Sequence, residues 1–509
     1  MELEFPSSIL FASLVIFLFI LLKIGKKSKT KHTTLNLPPG PWKLPLIGNL
    51  HQLVGSLPHH QLRDLVNKYG PLIHLQLGQV STIVVSSPEF AKQVMKTHET
   101  IFATRATTLA IKIITYDCKS IGLVPYGDYW RQLRKLCMNQ LLSPTRVQYF
   151  RSIREEEVSD LGNWIASKAG SPINFTNKFH LCTSNIITRA AFGKKCKDRE
   201  KFTSILKKVV TLAAGFNIAD LFPSIKLLQW INGIKSQLEE MHQENDRILE
   251  NIMDEHRQRK AINLEFDNHE ENKDLVDVLL KIQEHGHSEF RPTTDDIKAI
   301  IWEIFSAGSD SSVTVVDWAM AELMKNPTIL KKAQDEVGEV FNKKAKVDET
   351  SINEMTFLKL VIKETMRLHT PAPLLVPRQC AQNCVINGFD IPIGAKIIVN
   401  AWAIARSPEY WTQPESFIPE RFIDSSIDYM GANFDYIPFG SGKRICAGIR
   451  FALTNVELQL VMLLYHFDWK LPNGMKHQDL DMTEAFSIST KRKDDLWLIP
   501  IPYHPSHVS

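Results

Sequence analysis

Ten residues near the C-terminus, FGSGKRICAG at 439–448, place one cysteine where a thiol could do chemistry. Three glycines in ten positions predict an irregular backbone that lets something approach closely. Lys443 and Arg444 precede Cys446, and a helix-like run follows at once, so basic side chains and a helix N-terminus both favour the thiolate. A lone cysteine is usually a small buried apolar group, and the other six, at 118, 137, 182, 196, 380 and 384, read that way. No C-x-x-C pair occurs, so zinc and dithiol readings are weak, and a reducing compartment suits the odd, irregular set. Cys446 alone combines glycine spacing, basic flanks and a following helix.

A second candidate is SAGSDSS at 306–312. The surrounding pattern predicts one helix over 293–325, about 50 Å long. Thr293 and Asp296 form a capping-box pair at its start, and Asn326-Pro327 ends it. Glycine costs about 1 kcal/mol against alanine inside a helix. Four serines and a glycine in the middle therefore oppose the helix, and such conflicts mark function. Their hydroxyls are predicted to bond back to the backbone and open a kink. Glu364 and Arg367, three apart, share a helix face, as do Trp130 and Arg134, four apart in YWRQLRK. Either pair reads equally as an exposed, weakly stabilising surface feature.

Taken together, these stretches resemble the cytochrome P-450 superfamily. Its haem-binding motif F-x-x-G-x-R-x-C-x-G is matched at Phe439, Gly442, Arg444, Cys446 and Gly448. The resemblance implies haem b (iron protoporphyrin IX), with Cys446 as the axial metal ligand and Phe439 in the cofactor loop. Arg444, Trp130, Arg134 and Arg378 are implied to hold the propionates. Two desolvated carboxylates need several cationic partners, so the arginines are physically expected. The E-x-x-R pair at Glu364 and Arg367, with Arg421 of PERF, is implied to be a structural network behind the cofactor. SAGSDSS is similar to the family's A-G-x-D-T-S/T motif at Ala307, Gly308, Asp310 and Ser312, with Ser311 in place of the usual threonine. By that likeness Ser311 and Asp310 are catalytic, delivering protons for oxygen activation.

The likeness is nearest to plant microsomal members that hydroxylate terpenoids. It implies an NADPH- and O₂-dependent monooxygenase acting on a small apolar substrate, a sesquiterpene or diterpene. Segments 105–116, 212–216, 301–309, 372–376 and 486–488 are implied to line the pocket. No GxGxxG or flavin segment occurs, so a separate NADPH-cytochrome reductase must supply electrons. Lys443, Arg131 and Lys135 are candidates for its docking patch. A reductase-independent isomerase or dehydratase is an alternative, and a non-catalytic membrane haem binder is another.

These residues need a scaffold. The chain has 509 residues, 44% hydrophobic and 23% charged, which is ordinary globular composition. A net charge of +4 with mixed signs along the chain argues against nucleic-acid binding. Residues 9–22 read ILFASLVIFLFILL, and twelve of the fourteen are Ile, Leu, Phe or Val. They favour membrane insertion by roughly 4–7 kcal/mol. Acidic Glu2 and Glu4 precede the run, and Lys23, Lys26, Lys27, Lys29 and Lys31 follow it. This predicts an uncleaved single-pass anchor in contact with lipid, with the rest of the chain cytosolic, and the resemblance to microsomal members implies that the membrane is the endoplasmic reticulum. The expected organisation is an anchor at 1–24, a basic and proline-rich linker at 25–41, and a haem-binding catalytic domain at 42–509. Helical patterns dominate, with short strands near 72–77, 82–85, 385–393, 396–398 and 496–499. The fold class is therefore mainly α with small β-sheets, the cytochrome P-450 fold by resemblance, preceded by one transmembrane helix.

Overall fold

The computed structural model describes residues 35–503 apart from 56, 197, 214–216, 232, 264–273, 286–290, 342–346 and 486. The expected anchor at 1–24 lies outside the described residues, as does most of the linker at 25–41. Among the described residues, no helix is long and apolar enough to cross a membrane. The structured body reaches back to Asn36, whose backbone N–H donates to Asp390 at 2.7 Å. Residues 39–49 lie along a sheet edge: Pro39 O accepts from His74 N, and Asn49 N donates to Gln76 O at 2.6 Å.

The helices that matter for the site are α1 Pro58–Tyr69, α2 Asp128–Leu136, α3 Arg151–Ala166, α4 Phe175–Phe192, α5 Ile234–Asn263, α6 Thr294–Lys325, α7 Phe357–Leu368 and α8 Ile449–His466. Helix α6 is the axle, packed on α4, α7 and α8. It starts where the sequence requires. The Thr293 hydroxyl accepts from Asp296 N–H at 3.3 Å, and the Asp296 carboxylate accepts from Thr293 N–H at 2.7 Å, a complete capping box. Asn326 caps its other end. From 312 to 324 every residue is buried. Its two acids there are satisfied: Glu322 bonds His369 at 2.7 Å, and Asp317 accepts from Thr176 at 2.5 Å, while the buried Ser312 hydroxyl makes no hydrogen bond. The expected kink is not a break. Ser306 and Ser311 donate back to Glu303 O and Ala307 O, at 3.3 and 2.7 Å, within one continuous helix.

Among the described residues, ten short strands complete the fold: β1 Leu72–Leu77, β2 Val80–Val85, β3 Thr104–Arg105, β4 Ile173–Asn174, β5 Arg378–Gln379, β6 Cys384–Ile386, β7 Phe389–Ile391, β8 Lys396–Val399, β9 Phe467–Lys470 and β10 Trp497–Pro502. The largest sheet runs β1-β2-β8-β5-β3. Only its β2–β8 pair is parallel, in register Thr82↔Lys396 to Val85↔Val399. β4, β10 and β9 form a second sheet, and β6–β7 a hairpin. The hairpin divides what the sequence suggested as one strand at 385–393, because Asn387 and Gly388 take positive φ and turn the chain.

Glu364 and Arg367 on α7 are fully buried rather than exposed. Their two hydrogen bonds, 2.8 and 2.9 Å, make a bidentate pair. Arg367 also donates to Ala405 O, Pro414 O and Ser416 O. Arg421 and the Ile418 N–H both reach Glu364, at 3.0 and 2.8 Å. The network joins α7 to the 405–421 meander, so its role is architectural.

Candidate active site

The cysteine loop is shaped by its glycines. Gly442 has φ +67°, and a Cβ there would meet Met95 O at 2.0 Å, so only glycine fits. The turn closes when Cys446 N–H donates to Phe439 O at 3.0 Å. The Phe439 ring packs edge-on against Tyr429, with centroids 5.7 Å apart. Gly448 N–H then points at the Cys446 sulfur, 3.3 Å away, and α8 begins at Ile449.

Cys446 is exposed, yet burial pushes its thiol pKa up. A side chain both enclosed by protein and accessible lines an internal cleft. The Gly448 hydrogen bond and the Arg134 charge oppose that rise. The flanking cations, expected to favour the thiolate, are engaged elsewhere. Lys443 pairs with Glu99 at 3.0 Å, and Arg444 donates to three backbone carbonyls. In the protein alone the thiol is therefore favoured, and a coordinated metal ion would deprotonate it.

Beside this loop the structure gathers four arginines from distant parts of the chain. Arg444 donates to Ala103 O, Ile121 O and Val124 O at 2.7, 3.0 and 2.5 Å. Arg134 on α2 donates to Ile445 O at 2.8 Å, next to the cysteine. Arg378 on β5 reaches Phe102 O and Ser441 O at 3.3 and 3.2 Å. Arg105 on β3 reaches Gly122 O and Val376 O at 3.1 and 2.6 Å. Trp130 lies under Arg444, 4.6 Å from guanidinium to ring, and its N–H donates to Ile121 O. These hydrogen bonds go to neutral carbonyls. Burial, then mutual repulsion, lowers the pKa of Arg444 to about 9, and burial lowers that of Arg378 to about 10. Such a cluster is costly unless an anion joins it. A planar group with two carboxylates and a metal that takes thiolate meets both halves of the site, so an iron porphyrin fits the residues present.

Helix α6 carries a further set of accessible side chains. Glu303, Ile304, Ala307, Gly308 and Ser311 keep accessible surface, as does Ser306 to one side of them, while Trp302, Phe305, Ser309, Asp310 and Ser312 are buried. The accessible positions follow helical spacing and form one stripe. Ser311 is on it. Asp310, the next residue, points the other way. Its carboxylate ion-pairs with Lys491, accepts from the Ser489 hydroxyl at 2.7 Å, and lies 3.9 Å from His180. The two residues singled out together thus face different surroundings.

Arg105 and Glu303 were not assigned roles from sequence. Arg105 stood at the edge of the expected pocket-lining segment 105–116, and Glu303 lay within the segment 301–309. Glu303 did leave a trace, as one acid in the apolar run IIWEIF.

Fold and site together define a haem-thiolate protein of the mainly helical type. The chain belongs to the cytochrome P450 family: the family's sequence profile matches residues 38–498. Among characterised relatives, it is 52% identical to desmethyl-deoxy-podophyllotoxin synthase from Sinopodophyllum hexandrum, covering 99% of this chain and 98% of that one. It is 48% identical to premnaspirodiene oxygenase from Hyoscyamus muticus, over 97% and 98% of the two chains. A zebrafish cytochrome P450 structure with progesterone superposes with a TM-score of 0.74 at 24% identity, covering 88% of this chain and all of that one. The protein is accordingly a haem-containing monooxygenase of this family, acting on a small organic substrate.

Proposed function

We propose that this enzyme inserts one oxygen atom from O₂ into an apolar terpenoid, using NADPH electrons delivered by a separate reductase. The observation that carries the reading is the accessible Cys446 thiol beside four arginines bonded to neutral carbonyls. Cys446 ligates the iron, Phe439 walls its loop, and Trp130, Arg134, Arg378 and Arg444 hold the propionate end. When bound, haem with a thiolate ligand supplies the oxidation chemistry, since the ligand's electron density favours O–O cleavage. Ser311 donates its proton to Ala307 O, which leaves its oxygen free to accept one from the cleft side. Asp310 supplies protons from the other side of α6 when its ion pair with Lys491 opens. The relative named premnaspirodiene oxygenase favours a terpenoid substrate.

The same reading puts residues 1–24 across the endoplasmic reticulum membrane as a single-pass anchor, with the catalytic domain cytosolic. Trp42, Val54, Leu227 and Trp230 are large apolar side chains left exposed. The segments bearing them meet near Gln79, whose N–H donates to Leu221 O and whose side chain accepts from Ser224. A lipid surface suits that rim. Arg131, Lys135 and Lys443 form the reductase-facing patch.

Microsomes carrying the enzyme and reductase, given a terpene panel with and without NADPH, test the function. NADPH-dependent hydroxylation is expected; turnover without NADPH would instead favour an isomerase or dehydratase. Cys446→Ser is expected to lose the red-shifted Soret band of the reduced CO adduct, and retention of that band would refute the ligand assignment.

A further inference from the structure

The turn at 120–124 has a place in this site that the motifs do not describe. It is tight: Leu123 N and Val124 N both donate to Ser120 O, at 3.2 and 2.9 Å. Its other carbonyls face the arginine cluster. Gly122 O accepts from Arg105 at 3.1 Å. Ile121 O accepts from both Trp130 and Arg444, at 3.1 and 3.0 Å, and Val124 O accepts from Arg444 at 2.5 Å. Two arginines and the tryptophan thus take their orientation from five residues of backbone.

One side chain of α6 holds that backbone from outside. Glu303 Oε1 accepts from the Gly122 N–H at 2.8 Å. Glycine at 122 is required for the approach, since a Cβ there would sit 2.1 Å from the same oxygen. The second oxygen, Oε2, is buried without a hydrogen-bond partner. Burial pushes the Glu303 carboxyl up to about 7, so the hydrogen bond to Gly122 rather than a full charge ties it to the turn.

We propose that Glu303 is a positioning residue for cofactor binding: it ties α6 to the 120–124 turn and, through that turn, sets Arg105, Trp130 and Arg444. The proposal rests on the reading that these arginines meet the haem propionates. Outer partners of this kind, one bond removed from the groups that hold a cofactor, typically contribute about 10- to 100-fold in affinity.

Haem loss tests it, with no need for substrate. Full-length ferric holoenzyme in detergent is mixed with excess apomyoglobin, and transfer is followed by absorbance. Glu303→Ala and Glu303→Asp are expected to lose haem about tenfold faster or more, because neither reaches the Gly122 N–H. Gly122→Ala should do the same by displacing the carboxylate. Glu303→Gln keeps an acceptor for that N–H and should stay within about threefold of wild type. A purely structural role would lower the unfolding midpoint and leave the loss rate well below that temperature unchanged, which would overturn the proposal. Should Glu303→Ala yield no holoenzyme, wild-type loss rates in Glu303→Asp and Gly122→Ala would overturn it equally. Arg105→Leu and Arg444→Leu separate the two readings. Faster loss there, with unchanged loss in the Glu303 variants, rejects the role of Glu303 alone. Unchanged loss in every variant rejects the propionate reading with it.

Discussion

Serine at 311 keeps a hydroxyl on the accessible stripe of α6 but lacks the methyl that would hold its rotamer. The hydroxyl is steadied instead by its 2.7 Å bond to Ala307 O. Ser311→Thr should therefore lower peroxide leakage per NADPH consumed. Ser311→Ala should cut coupled turnover by about tenfold or more, since the hydroxyl oxygen that accepts from the cleft side is lost. Stoichiometry of NADPH, peroxide and product decides it, and unchanged coupling in Ser311→Ala would remove the residue from the mechanism. At this scale the sequence was informative about type and less so about environment. The basic flanks of Cys446 were visible, but Lys443 is drawn to Glu99, and burial raises the thiol pKa. Asp310 and Ser311 are chain neighbours, yet successive helical side chains diverge by about 100°. That rotation sends one to the cleft and the other to Lys491.

Elements were legible where local physics sets their ends. Helix α6 begins at the predicted cap and stops at the predicted Asn-Pro, and α8 spans Ile449–His466 as the pattern after the cysteine suggested. Thr293→Ala removes the hydroxyl that accepts from Asp296 N–H and should cost about 1 kcal/mol. A lower urea midpoint with an unchanged CO difference spectrum is the expected result. The two-residue strands β3, β4 and β5 carried no readable alternation. β3 and β5 exist because Arg105 pairs with Arg378 across 273 residues of chain, which places two of the four arginines side by side.

For the whole molecule, the Glu364–Arg367–Arg421 network decides how the cysteine-side meander is held against α7. Replacing Arg367 with Met leaves Glu364 buried beside a single remaining cation, so a loss of about 3–5 kcal/mol is expected. The measurement is the urea midpoint of the holoenzyme together with its yield. A change below about 1 kcal/mol would mean the pair acts as exposed pairs do. The spacing of these residues was plain in the sequence, but its two readings differed only in burial, and burial is a property of the folded whole.

By itself the sequence determined the cysteine loop, the helix that follows it, and the capped helix carrying Ser311. These depend on glycine torsions, caps and periodicity, all of which act over a few residues. The tertiary structure decided which charges meet. Arg105, Arg134, Arg378 and Arg444 converge from four segments, and Glu303 reaches Gly122 across 181 residues. Such meetings are set by packing in three dimensions, where the cost of burying a charge fixes its partner, and no local pattern records that cost.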